Sequence, residues 1–247
     1  MNHLFAAPLA LAFLASASLA ATPPEPIVVE LFTSEGCSSC PPADALLTKL
    51  RQTESVEGAD VLILGEHVDY WNRLGWADRF SSAVLTERQG EYARRFGLDS
   101  SYTPQMVIDG HAELVGNDER GVRHQLALAA HSPKPDQVKL SWSGADQLQV
   151  TVEGSNKANG KILLAITEDA LSTQVGAGEN GGRILRHSGV VRELREIGSE
   201  RHGQFSSTIK TARHSDWKLE NLRAVVFVQK PGYGDITGAA SLAFSAN

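Results

Sequence analysis

Only two of the 247 residues are cysteine, Cys37 and Cys40, and only two are methionine. One cysteine pair cannot staple a chain of this length, so a disulfide framework is excluded and the core must be hydrophobic. Basic residues are the minority: 23 Lys and Arg stand against 29 Asp and Glu, a formal charge of −6. With no basic stripe interleaved with aromatics, the chain lacks the electrostatic footprint of a nucleic-acid binder. No apolar run reaches the roughly 18 residues of a membrane span. What remains is an ordinary globular composition, 42% hydrophobic and 21% charged, without collagen-like or coiled-coil bias.

The first twenty residues contain no Lys, Arg, Asp or Glu. Leu4 to Leu14 is apolar but too short for a bilayer, and Ser18 and Ala20 occupy the small-residue positions of a signal-peptidase site. Residues 1–20 therefore read as a secretory signal, and the mature chain is expected to be periplasmic or secreted, with no membrane span. Export changes what two thiols mean, because an oxidising compartment pairs thiols that lie within disulfide reach.

The stretch PIVVELF has the β-branched, continuously apolar pattern of a buried strand. Behind the cysteines, Ala43, Leu46, Leu47 and Leu50 share one helical face. A second apolar strand follows at ADVLILGEH, then a helix capped by Ser81 or Ser82 and ended by Gly97. PQMVIDG and HAELVG form a hairpin about Asp109-Gly110, and a helix capped by Asn117 or Asp118 closes the first half. The order is β-α-β-α-β-β-α. The prolines of HSPKPDQ then form a stiff linker, and short alternating segments beyond it point to an antiparallel sandwich. The boundaries are 21–131 for a first domain and 132–247 for a β-rich second.

Cys37 and Cys40 fall where the first strand ends and the first helix begins. That edge of an open α/β sheet carries chemistry, and the N–H groups of a helix start favour a thiolate. Cys37, the outer residue, is expected to attack and Cys40 to resolve. As a staple the pair is weak, since a loop of four residues contributes roughly 2 kcal/mol. Glu35 stands close enough to oppose the thiolate charge. The segment EHVDYWNRLGWADRF leaves the second strand on the cysteine side. His67 there is a candidate proton carrier, and aromatics such as Trp71 could shape a groove.

An element order of this kind with Cys-x-x-Cys at the first helix resembles the thioredoxin fold. The resemblance implies a cis proline facing the disulfide, supplied by Thr103-Pro104 in SYTPQMVID; Gly36 stands where that family has Trp. More closely, the chain is similar to a family of bacterial exported thioredoxin-like proteins of unknown function. VVELFTSEGCSSCPPADALL, HVDYWNRLGW, YTPQMVIDG and GENGGRILRHSGVVREL carry that likeness. The expected fold class is α/β, a thioredoxin-like N-terminal domain followed by a mostly antiparallel, sandwich-like C-terminal domain.

GAGENG matches G-x-G-x-x-G literally but opens no helix in a βαβ unit, so it does not signal a nucleotide. The same loop carries Asn180, Arg183 and His187, which are expected to reach the active-site edge. The leading functional expectation is an exported thiol-disulfide oxidoreductase without cofactor, acting on protein or peptide thiols and served by an unidentified redox partner. Two alternatives stand beside it. One is a copper-binding protein using the thiolates with His67 or Met106; the other is a non-catalytic binding module.

Overall fold

A computed structural model of the protein describes residues 23–52, 56–154 and 159–244. The segment read as a secretory signal lies outside them.

The first half contains β1 (Glu25–Thr33), α1 (Pro41–Gln52), β2 (Ala59–His67), α2 (Ala83–Phe96), β3 (Gln105–Ile108), β4 (Ala112–Val115) and α3 (Glu119–Ala130). This is the order read from the sequence. The Ser82 hydroxyl accepts from the Val84 N–H to cap α2, and Gly97 ends it in the left-handed conformation. Asp109 and Gly110 both take positive φ in the turn that joins β3 to β4. Asp118 caps α3 by accepting from the Gly121 N–H.

The second half is β5 (Asp136–Trp142), β6 (Gln147–Gly154), β7 (Lys161–Glu168), β8 (Leu171–Gln174), β9 (Ile184–His187), β10 (Val190–Ser199), β11 (Gln204–Lys210), β12 (Leu222–Gln229) and β13 (Ile236–Ala243). The segments β8 and β9 form a small ribbon that strand patterning did not reveal.

The expected fold class is corrected by the sheet topology. One mixed eight-stranded sheet runs β13-β12-β7-β10-β2-β1-β3-β4, taking strands from both halves. The protein is mostly β, with three α-helices among the described residues. There is no helix-flanked thioredoxin-like α/β domain at the N-terminus. The physical cause lies at β2. Its outer edge is not free: Val190 of β10 pairs in parallel with Gly65, and the Gly65 N–H donates to the Gly189 carbonyl. A Cβ on Gly65 would lie 3.2 Å from the Ser188 carbonyl oxygen, so glycine permits this close approach.

Central strands account for the continuous apolar runs. In β1, Ile27, Val29 and Leu31 pack with α1 and α3, while Val28 and Phe32 face the opposite side. Both faces are covered, so alternation disappears. Arg88 of α2 is buried against Glu30, and its guanidinium also donates to Gln229 from β12. The antiparallel sheet β11-β6-β5 lies over β7 and β12. Leu148, Val150 and Val152 meet Leu164, Ile166 and Val226 there in an apolar core.

Candidate functional site at the disulfide

Cys37 and Cys40 form a disulfide in the turn between β1 and α1. The Cys40 carbonyl accepts from the Ala43 and Asp44 N–H groups, so Cys40 sits just outside the first helical residue, Pro41. Cys37 Sγ lies 3.3 Å from the Ser39 hydroxyl and 3.9 Å from the Thr103 carbonyl oxygen. The Thr103-Pro104 bond is cis, as expected. Both cysteines are 0% exposed. The outer position expected for Cys37 is therefore absent in the disulfide state.

Cover comes from two segments. In the first, Trp71 packs beside Gly36, and its indole N–H donates to the Thr103 hydroxyl at 2.9 Å. Trp76 donates to Glu35 Oε2 at 2.8 Å. The second is the loop joining β8 to β9. The Asn180 amide, itself buried, donates to the Glu35 carbonyl at 3.0 Å and to the Cys37 carbonyl at 2.9 Å. Glu179 accepts from the Ser38 N–H at 3.0 Å. Arg183 Nη1 donates to Asn180 Oδ1 at 3.0 Å; its guanidinium supports the loop rather than pairing with Glu35. Thus the segment resembling a nucleotide motif is the one laid over the disulfide.

Near the disulfide is a buried cluster of ionisable groups drawn from both halves. His67 Nδ1 stands 2.6 Å from Asp78 Oδ2. Asp78 also accepts from the Glu35 and Phe80 N–H groups. Burial pushes the Asp78 carboxyl up, but His67 and those two N–H groups outweigh it and hold it below the ordinary range. The ionised oxygen is an acceptor, so His67 Nδ1 carries the proton. His187, at the end of β9, packs its ring 4.8 Å from that of His67. Its Nε2 is 3.4 Å from Glu35 Oε1 and its Nδ1 3.9 Å from Asp44 Oδ2.

The two carboxyls beside His187 behave oppositely. For Glu35, burial and the Asp78 charge act upward, yet His187, Thr173 and Trp76 bring it below its ordinary value. For Asp44, burial dominates over help from His187 and Thr33, with Asp78 and Glu35 adding repulsion, and the carboxyl is pushed up to about 7.

Sequence reasoning singled out Glu35, His67 and His187, and the fold brings them together. It missed Asp44 and Asp78. Asp44 had a signal: it follows Cys40 by four residues, beside Ala43 on the helix face that carries Leu47, so an acid interrupts an apolar stripe. Asp78 had none, lying in an irregular segment. Met106 is packed in the apolar cluster under α1 and α3. Among the described residues, no three His, Cys, Asp or Glu side chains are arranged to hold a metal ion. A cleft of about 340 Å³ lies between α3, the proline linker and the β12–β13 turn, and takes no residue from this site.

A search of curated proteins finds no match. Among solved structures, the X-ray structure of an Agrobacterium tumefaciens protein is similar over 92% of this chain and 98% of its own, with 29% identity and a TM-score of 0.74. A Bacteroides uniformis beta-glucuronidase aligns with 46% of this chain and 13% of its own, at 11% identity and a TM-score of 0.21, too slight a likeness to carry an argument. Residues 28–229 match the model of a family described as protein of unknown function (DUF1223). That span takes in the disulfide, the covering loop and most of the eight-stranded sheet, and the chain belongs to this family.

Proposed function

We propose that the protein is an exported thiol-disulfide oxidoreductase whose working couple is Cys37–Cys40. One observation carries the reading: the disulfide sits at a helix start, with the Ser39 hydroxyl and the Thr103 carbonyl within 3.9 Å of Cys37 Sγ. After reduction, the Ser39 hydroxyl and the positive end of the α1 dipole can stabilise a thiolate, and the carbonyl can accept from a thiol.

In the direction that oxidises the substrate, a substrate thiolate attacks Cys37 Sγ. The Cys37–Cys40 bond breaks and Cys40 leaves as a thiolate that takes up a proton. A second substrate thiolate then attacks the substrate sulfur of the mixed disulfide and releases Cys37. Two substrate thiols lose two electrons and two protons and depart as a disulfide; the protein holds a dithiol. A partner disulfide reverses the sequence. Since both cysteines are fully buried, the covering segments must part before either direction can run.

The test is to trap the intermediate in Cys40→Ser with a cysteine peptide disulfide. A mixed disulfide at Cys37, together with native-state reduction of the parent by dithiothreitol, supports the reading. The burial of both sulfurs favours one second reading, a closed structural disulfide. It is the correct one if the parent bond yields to dithiothreitol only under denaturing conditions.

A further inference from the structure

The two segments that cover the disulfide touch each other as well. A Cβ on Gly178 would lie 3.2 Å from Trp76 Cβ, and Arg79 Nη2 donates to the Ser172 carbonyl at 3.2 Å. They form one surface, and its charge opposes that of the whole chain. In 71–80 and 171–187 the exposed ionisable side chains are Arg73, Arg79, Arg183 and Arg186, with Glu179 the single acid. Glu179 is engaged with the Ser38 N–H. Among the described residues, none of the four arginines is paired with an acid. The surface also shows two large apolar side chains, Leu74 at 57% and Ile184 at 61% exposed.

We infer that this surface receives the thiol substrate as an acidic peptide segment with apolar side chains, and that its docking opens the cover. The inference rests on the exchange reaction proposed above. Charge complementarity selects the occupant. A guanidinium matches a carboxylate in a two-point contact. On a chain of net charge −6, an acidic segment is repelled by most of the surface and drawn to this part.

Docking and opening are linked through Arg183. Its guanidinium is spent on the Asn180 amide oxygen, and Asn180 is the residue that clasps the Glu35 and Cys37 carbonyls. A substrate carboxylate offers Arg183 a stronger, charge-assisted bond. Taking it withdraws support from Asn180 and frees the loop over Cys37. Arg183 thus belongs both to the receiving surface and to the support of the cover.

The experiment compares two reduced cysteine peptides of equal length, one acidic and one basic, as reductants of the oxidised full-length protein. The double variant Arg73→Glu/Arg186→Glu is run beside the parent, with dithiothreitol as a neutral reference. The acidic peptide is expected to react about tenfold faster than the basic one at low salt, and its advantage to shrink at high salt. The double variant is expected to lose or invert the preference while its dithiothreitol rate stays at the parent value. Equal rates for the two peptides, or a preference that survives the double variant, overturn the inference and leave the exchange reaction standing. A parent disulfide inert to dithiothreitol overturns both.

Discussion

The apolar core between the two sheets and the surroundings of the disulfide are equally buried and chemically opposite. Between β6, β7 and β12 lies a cluster of buried apolar side chains that includes Leu148 and Phe244. Near Cys37 the buried groups are Glu35, Asp44, His67, Asp78 and His187. Apolar burial stabilises at about 25 cal/mol per Å², whereas buried ionisable groups cost free energy unless they are paired. A fold selected for stability alone would place apolar side chains at both. The contrast teaches that the two regions divide the work: the apolar core between the sheets anchors β7, which leads into β8, β9 and their loop beside the polar groups of β1, α1 and β2.

The largest effect expected from that division is on the dry side. Leu164 is fully buried among apolar neighbours. Leu164→Ala should lower unfolding free energy by about 3 kcal/mol, from lost transfer energy and a residual cavity. Denaturant titration checks it. Reduction of the native disulfide should be unaltered, because no contact of Leu164 reaches the cover.

The next effect is on the polar side and depends on pH. The folded Asp44 carboxyl titrates at about 7, and the unfolded one near its ordinary value. Between those values the native chain keeps a proton that the unfolded chain has lost. Stability from this group is therefore present at low pH and falls as pH rises toward 7. Asp44→Asn removes the dependence. Relative to the parent, the variant should be more favourable at pH 8 than at pH 5, by on the order of 2 kcal/mol. A parent–variant difference independent of pH would show that Asp44 is ionised in the fold throughout.

The same contrast explains what the sequence disclosed. Strands and helices were legible because β-branched runs, caps and helical spacing are local signals. The joining of two halves in one sheet was not. A run such as VLILG says that both faces of β2 are covered, but a strand's edge leaves no pattern in its side chains, and β10 lies far along the chain. The thioredoxin-like expectation assumed that this edge stayed within the first half. Around the disulfide, Glu35 and His67 stood out by proximity to the cysteines or to the sheet end. Asn180 and His187 stood out as polar residues in a glycine-rich loop. Asp78 acts through a turn that has no periodicity.

The smallest effect expected on stability is also the one that separates the two regions most sharply. Asn180→Ala removes three hydrogen bonds, the one accepted from Arg183 included, and leaves the Glu35 and Cys37 carbonyls without that donor, at a cost of about 1 kcal/mol. If reduction proceeds by local parting of the cover, that loss enters the opening equilibrium directly, and the native disulfide should be reduced by dithiothreitol about fivefold to tenfold faster. If reduction instead requires global unfolding, the rate follows overall stability, and Leu164→Ala must accelerate it more than Asn180→Ala does. Rates measured for the two variants under native conditions, beside their stabilities, distinguish these cases by the order of the variants alone. A faster Asn180→Ala locates the opening in the loop from the second half; a faster Leu164→Ala makes the disulfide a part of the core like any other.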